Sequence, residues 1–495
     1  QKGEESTGKV EVEIESEEYA AFVASKSKIG PFRVEFREPS SGAVNRDRSS
    51  RQSRLQDVKN DPSVFHFLGQ EIMIPSRFEV SLQHSILSSM SEVTCKKPTD
   101  SQCRRNEHGI PNGFIPLPDL EAPNSNVAIV QRYLRTPFQF DVVFESSADD
   151  DAISDAVEAH RRSFESRFRH VFNLEEFSAS QIEFAEITLS NLLGGFGYFH
   201  GPLTINSGDA RPGRDQLTSS SEASLLSATP SRESFPRGFL WDEGFHQMLV
   251  QKWDPQLSRE ALKSWLGTME PSGWIPREQT RGADAITRFP EHIQHYMIQS
   301  PDVVNPPTLV MPVRALMLSE PVQVDGKGSI IRSGFISDAY EKLSKHVMFL
   351  ARSQAGKVEN TFYWRGREET DGIIHTLASG LDDYPRAKNI SEAEMHLDLA
   401  CWIAWSLKTV ASLAPARKAR EADRLRAAAD QIKSTLFQEH RGTGSSELLC
   451  DQGATGSVCH EGYVTLFPMI LGLEDSSSPR LGSILRLIRD EDRLW

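Results

Sequence analysis

Hydrophobic periodicity changes once along this chain, near Asp149, and that change restricts the fold to two kinds of domain in series. Before it, Lys9-Val10-Glu11-Val12-Glu13-Ile14, Phe32-Arg33-Val34-Glu35-Phe36 and Phe78-Glu79-Val80-Ser81-Leu82 alternate apolar and polar residues. That is the period of strands with one buried and one wet face. Phe138 to Phe144 reads as a further strand, buried on both faces. Polar, proline-containing segments at 37–61 and 96–124 separate these runs, so residues 1–146 read as a β-sandwich. No chemical constellation stands in this part.

After Asp149, Ile153, Val157, Phe164, Phe168 and Val171 recur at helical spacing, and Asp149 to Asp151 place acid charge at the helix start. Residues 147–177 read as a helical linker. Ser178 is placed to cap a second helix carrying Ile182, Ile187, Leu189, Leu192 and Leu193. It runs into Gly194-Gly195-Phe196-Gly197-Tyr198-Phe199-His200-Gly201, read as a chain reversal with exposed aromatics. No Lys-Ser/Thr follows, so it is not a phosphate loop. Residues 208–233 are rich in Ser, Arg, Gly and Pro and read as a surface loop. Further helices are expected at 339–354, 395–413 and 416–439, the last highly charged and hence an outer one. Helices alternating with polar-aromatic loops over 178–495, without strand signal, predict an α/α toroid whose loops meet at one mouth.

The chain of 495 residues exceeds one ordinary domain, and its net charge of −14 without a dense basic run argues against nucleic acid or an anionic membrane as partner. No apolar run approaches the roughly 18 residues that span a bilayer. Of five cysteines, Cys95 with Cys103 and Cys450 with Cys459 flank polar loops, and each pair can close one as a disulfide in an oxidising compartment. Cys401, beside Trp402 in an apolar helix, reads as a buried thiol. Neither His nor Cys spacing suits zinc, so no metal or other cofactor is expected. Asn389-Ile390-Ser391 is an N-glycosylation acceptor sequence.

Two stretches carry the chemistry. Ser379-Gly380-Leu381-Asp382-Asp383-Tyr384-Pro385-Arg386 places paired carboxylates on a tight loop before a helix, where a proton-donating carboxyl can be held and tuned. A solvated turn has the same composition. Phe235-Pro236-Arg237-Gly238-Phe239-Leu240-Trp241-Asp242-Glu243-Gly244-Phe245-His246 mixes aromatics with carboxylates, suiting the CH faces and hydroxyl rim of a sugar. A helix start capped by Asp242, with the aromatics in the core, is the alternative, and the sugar-site reading is preferred because more such loops follow. Gly273 to Gln279, Asn305-Pro306-Pro307-Thr308 and Tyr363 to Arg367 add three more polar or aromatic loops.

Four of these motifs, at 235–246, 273–279, 305–309 and 379–386, together with Glu394-Met395-His396-Leu397-Asp398-Leu399-Ala400-Cys401-Trp402, resemble in composition and order the processing α-glucosidases (mannosyl-oligosaccharide glucosidases) of glycoside hydrolase family 63. The resemblance implies a multidomain α and β fold: an N-terminal β-sandwich, a helical linker and an (α/α)6 toroid over 178–495. It implies a metal-free inverting exo-α-glucosidase removing terminal α-1,2-linked glucose from the precursor N-glycan. Such an enzyme would be monomeric, lumenal in the endoplasmic reticulum, and anchored in the membrane through a segment preceding these residues. It assigns Asp382 as general acid, Phe239, Trp241, Asp242, Glu278 and Asn305 to the glucose subsite, and Asp383, Arg365 and Arg386 to further polar contacts. Arg386 paired with Asp383 is the alternative. Glu394, His396 and Asp398 lie on the helix behind the acid loop. The family's water-activating carboxylate stands in a later motif, so the base is expected beyond residue 495 and the toroid to be truncated at its C-terminus. A glycan-binding form without hydrolysis and a trehalase-like glucosidase are the competing readings.

Overall fold

The computed structural model describes residues 152–206, 217–282, 297–324, 330–370, 372–442 and 448–493, with seven strands and a few single positions elsewhere. The chain divides into two compact units, Gln1–Ser163 and Phe164–Trp495.

In the first unit, β1 (Val10–Ser16), β2 (Tyr19–Ala24), β3 (Phe32–Arg37) and β7 (Asp141–Glu145) form an antiparallel sheet in that order. A second sheet places β4 (His66–Gln70) between β5 (Leu120–Glu121) and β6 (Val127–Gln131), and β1 packs against β4 and β6. The alternating runs are therefore strands over 10–14 and 32–36; the one at 78–82 lies outside the described residues. β7 is not buried on both faces as expected, since Val142 is exposed.

Helices dominate the second unit. The first, α1 (Ala152–Phe172), begins in the first unit and packs Phe168 against Ile182 and Leu189 of α2 (Ala179–Gly194). Ser178 caps α2 in a capping box with Gln181. Ile187, assigned to the apolar face, points to solvent beside Phe184 instead, because Ile182 and Leu189 already occupy the seam. The expected chain reversal after α2 is a strand, β8 (Phe196–Gly201), paired with β11 (Ala223–Ala228). Ala223-Ser224-Leu225-Leu226-Ser227-Ala228 lies within the stretch read as loop, yet Leu225 and Ser227 bury inward in strand alternation. Between them a small hairpin forms from β9 (Thr204–Asn206) and β10 (Leu217–Ser219).

Then come β12 (Gly238–Phe239), α3 (Leu240–Trp253), α4 (Pro255–Gly267), β13 (Glu278–Gln279) and α5 (Val310–Ser319). Asp254 caps α4, its carboxylate accepting the N–H groups of Gln256 and Leu257 at 3.0 Å, with Pro255 in the first turn. After hairpin β14–β15 (Gln323–Val324, Ile330–Ile331) follow α6 (Gly334–Ser353) and hairpin β16–β17 (Glu368–Thr370, Ile373–His375). The chain continues with α7 (Leu397–Leu413), α8 (Ala419–Glu439), hairpin β18–β19 (Asp451–Gly453, Gly456–Val458), α9 (Tyr463–Ile470) and α10 (Pro479–Ile488). The hairpins had no strand signal in the sequence: two- and three-residue strands are too short to show a period.

The centre of this unit is α7, which touches α5, α6, α8 and α9. Fourteen of its 17 residues are buried, so it is apolar nearly all round. Among the described residues, no helix is long and apolar enough to cross a membrane. Leu407 lies fully inside this core. Leu407→Ala should lower unfolding free energy by roughly 2–5 kcal/mol through lost burial and the cavity left behind, read from the urea midpoint at unchanged m-value.

Candidate active site

Four of the loops singled out by composition meet one another. Phe239 pairs with Glu278 across β12 and β13, and the Leu240 N–H donates to the Arg277 carbonyl at 2.9 Å. This sets Trp241, Asp242 and Glu243 in the first turn of α3, where acidic side chains suit the positive end of the helix. Thr308 reaches across to the same turn, its hydroxyl 2.8 Å from the Trp241 carbonyl. A side chain at Gly244 would collide with Thr308, its Cβ falling 2.3 Å away, so the glycine permits this approach. Asn305 donates from Nδ2 to the Ala378 carbonyl at 3.0 Å, joining the proline-rich turn to the acid loop.

The acid loop is built on a single 3-10 turn, Leu377–Ser379, closed by Gly380 at φ 75°. That backbone conformation favours glycine, and a Cβ here would lie 2.6 Å from the Trp241 indole. The loop backbone thus lies directly on Trp241, which also meets Phe245 and Trp402 edge to face at 4.9 and 6.3 Å. The Thr376 N–H donates to the Asp382 carbonyl at 3.1 Å, and the Leu381 N–H to the Ser379 hydroxyl at 3.1 Å.

The Asp382 side chain is open to solvent, yet protein crowds it closely enough that desolvation raises its carboxyl above the ordinary range. Arg277 opposes that rise, Asp383 adds to it and His375 opposes it. Asp242 is likewise raised by burial, with His246 and Arg277 opposing and Glu243 adding. One guanidinium, Arg277, therefore acts on the carboxyls of two loops. Asp383 itself points outward, 86% exposed, and accepts from His375 Nδ1 at 3.1 Å. Glu278 is buried between Arg237 and Arg277, the latter at 3.3 Å.

Behind the loop the arrangement departs from expectation. Arg386 was assigned to sugar hydroxyls or to Asp383, and it contacts neither. Its side chain is fully buried, with Nη1 and Nη2 donating to Asp398 at 3.1 and 2.7 Å and Nη1 to Asp451 at 2.8 Å. A buried guanidinium needs carboxylates in equally dry surroundings, and Asp383 stands in water. Asp398 also accepts from Trp364 Nε1 at 3.1 Å. Burial works against its charged form, but Arg386 outweighs this and holds the carboxyl below its usual range.

Glu394 pairs with Arg367 and accepts from His396 Nε2 at 3.1 Å. His396 Nδ1 receives the Trp364 N–H at 2.8 Å, which leaves the ring proton on Nε2. Glu394, His396 and Asp398 all stand behind the loop, without exposure to a ligand. Arg365 is turned away, donating from Nε to the Ser353 carbonyl at 2.6 Å with its guanidinium over Tyr363. Asn389 is exposed, Cys401 is buried and free, and Cys450 is bonded to Cys459; Cys95 and Cys103 lie outside the described residues.

Sequence reasoning missed Arg277, His375, Arg367 and Asp451. Arg277 and Arg367 stood inside quoted motifs, where composition alone does not say which carboxylate each charge meets. Nothing local marks Asp451, whose partner is 65 residues away.

The family described as "Glycosyl hydrolase family 63 C-terminal domain" matches residues 148–456 and 445–495. A "Probable mannosyl-oligosaccharide glucosidase" of Schizosaccharomyces pombe is 32% identical over 448 residues, covering 77% of this chain and 54% of that protein. "Mannosyl-oligosaccharide glucosidase GCS1" of Arabidopsis thaliana is 35% identical over 314 residues, or 59% of this chain and 36% of that one. The chain thus spans about half, or less, of the relatives it matches. Among solved structures, a family 63 mannosylglycerate hydrolase from Thermus thermophilus is 12% identical with a TM-score of 0.39, covering 53% of this chain and 73% of that one. That overlap is too loose to carry any argument.

Arg386→Met strands two buried carboxylates and should cost roughly 3–5 kcal/mol of stability at pH 7. The folded pKa of Asp398 is depressed, so its contribution is present above the unfolded value of about 4 and is lost as pH falls through the folded one. The gap between parent and variant should therefore narrow in acid. Chemical denaturation at pH 7 and pH 3.5 reads it.

Proposed function

The chain belongs to glycosyl hydrolase family 63, and from that premise we propose that it removes a terminal α-1,2-linked glucose from the precursor N-glycan, with Asp382 as general acid. One observation carries this reading. The Asp382 carboxyl, open to solvent yet raised by the protein crowding it, sits on a loop whose backbone rests against the Trp241 indole, and the carboxyl of Asp242 next to that indole is raised as well. An aromatic face with carboxyls at its rim suits a glucose ring, and a protonated carboxyl suits its glycosidic oxygen.

In the proposed reaction, Trp241 and Asp242 hold the departing glucose, with Phe239 at the rim. Asp382 gives its proton to the leaving oxygen as the bond to the anomeric carbon breaks. A second carboxylate activates water on the opposite face, which inverts that carbon and requires the two carboxyls to stand about 6.5–9.5 Å apart. Glu278 holds Arg237 and Arg277 in place, and Asn305 holds the acid loop. The helices α3 to α10 are read as part of an (α/α)6 toroid. The Cys450–Cys459 bridge and the exposed acceptor sequence at Asn389 favour the lumen of the endoplasmic reticulum. The protein is proposed to act as a monomer.

Asp382→Asn should reduce glucose release from a triglucosylated N-glycan by about 10²–10⁴-fold, the usual span of general acid catalysis. Undiminished turnover would rule out the assignment, whereas saturable binding without release by the parent chain would favour a glycan-binding role. The product should be the β-anomer, read by proton NMR before mutarotation. A general acid works while protonated, so activity falls as pH rises through the Asp382 pKa. Arg277 opposes the rise of that pKa while Asp383 adds to it and His375 opposes it. Arg277→Met should therefore move the alkaline limb of the kcat profile to higher pH; a limb moving down would refute the role of Arg277.

A further inference from the structure

The acid loop is held from behind by two buried arginines. Arg367 bridges its two ends, Nε donating to the Thr376 hydroxyl at 3.3 Å and Nη2 to the Ala387 carbonyl at 2.8 Å, while Nη1 pairs with Glu394. Arg386, inside the loop, ties it to Asp398 in the first turn of α7 and to Asp451 at the start of β18. Asp451 does a second thing with its other oxygen: Oδ1 accepts the Leu397 N–H at 2.8 Å and so caps α7, whose own preceding residue, His396, supplies no side-chain cap. The cluster holds three carboxylates against two guanidinium groups, and the positive end of α7 faces the third.

The hairpin that carries Asp451 is small. β18 and β19 have three residues each, and a two-stranded hairpin of that size is marginal alone. Two features hold it. Met395 and Gln452 exchange both backbone hydrogen bonds at 2.9 Å, and Cys450, next to Asp451, is bonded to Cys459 across the hairpin. Arg367, Arg386, Glu394, Asp398 and Asp451 are all more than nine-tenths buried, so none can touch a sugar. Whatever they do for the reaction passes through the loop.

We propose that Arg367 and Arg386 are positioning residues of the acid loop, kept in place by Asp451 on a hairpin that the Cys450–Cys459 disulfide closes. Its kinetic consequence rests on Asp382 being the general acid; the structural part does not. The clamp sets where the Asp382 carboxyl stands relative to the glycosidic oxygen. Loosening it affects the chemical step more than the sugar contacts at Trp241 and Asp242, which stand on the first turn of α3.

The test is hydrogen exchange by mass spectrometry on the parent chain, on Asp451→Asn and on the double variant Cys450→Ser, Cys459→Ser. Asparagine keeps the Oδ1 acceptor that caps α7, while the charge is lost and the oxygen that accepts from Arg386 is replaced by an NH2 donor. Amides of 376–387 should exchange roughly tenfold faster in both variants, as expected for loss of a charge-assisted contact, while α6 exchanges as in the parent. In the glucose-release assay, kcat should fall by about tenfold or more with KM within about twofold, as when an interaction made only in the transition state is lost. Acceleration spread evenly over both segments, or none in either variant, would overturn the clamp. A loosened loop with unchanged kcat would overturn its catalytic part. A parent chain that releases no glucose bears on the proposed activity and not on the clamp, because exchange still decides the clamp.

Discussion

A guanidinium in a dry interior is tolerable only where carboxylates meet it with good geometry, and Arg386 is such a group. Its need for Asp398 and Asp451 brings three segments to one point: the acid loop, the start of α7 and the first residue of β18. Since α7 is the helix against which α5, α6, α8 and α9 pack, the acid loop is referenced to the centre of the unit rather than to its surface. Trp364, through Nε1 on Asp398 and its N–H on His396, ties in a fourth segment. The same charges explain why the Glu394–Trp402 motif is so polar at its start: those side chains satisfy one another inside the protein.

On the other side of the loop the constraint is steric rather than ionic. Gly380 and Gly244 each stand where a Cβ would overlap a neighbour, the Trp241 indole and Thr308 respectively. These two absences of side chain let the acid loop, the first turn of α3 and the Asn305 turn close on one another. The resulting crowding desolvates Asp382 and Asp242 and raises both. Arg277 opposes the rise, and so stops burial from acting unchecked on either carboxyl. Close packing and proton affinity are thus one property of this site.

Much of this was legible in the chain. The period-2 runs at Val10 and Phe32, the capping role of Ser178, the existence of the helices read at 339–354, 395–413 and 416–439 (Gly334–Ser353, Leu397–Leu413 and Ala419–Glu439 in the structure), and the Cys450–Cys459 pair follow from spacing and local chemistry. So did the loops that converge, because aromatics, prolines, glycines and carboxylates concentrated there mark segments that cannot continue a helix. β8 and β11 were not legible. Glycines masked the alternation of β8, and serines gave β11 the composition of a loop although Ser227 is buried on Trp265 and Glu243.

By itself, then, the sequence determined where the long helices begin to dominate, which loops are polar and aromatic, and that Asp382 stands on a glycine-hinged turn. Periodicity and propensity act over a few residues, and these decisions are local. Only the tertiary structure decided that Arg386 turns inward to Asp398 and Asp451, that Asp383 stays in water with His375, and that Arg277 acts on the carboxyls of Asp382 and Asp242. The physical reason is that a charge selects its partner by burial and distance, and both are set by chain segments tens of residues apart.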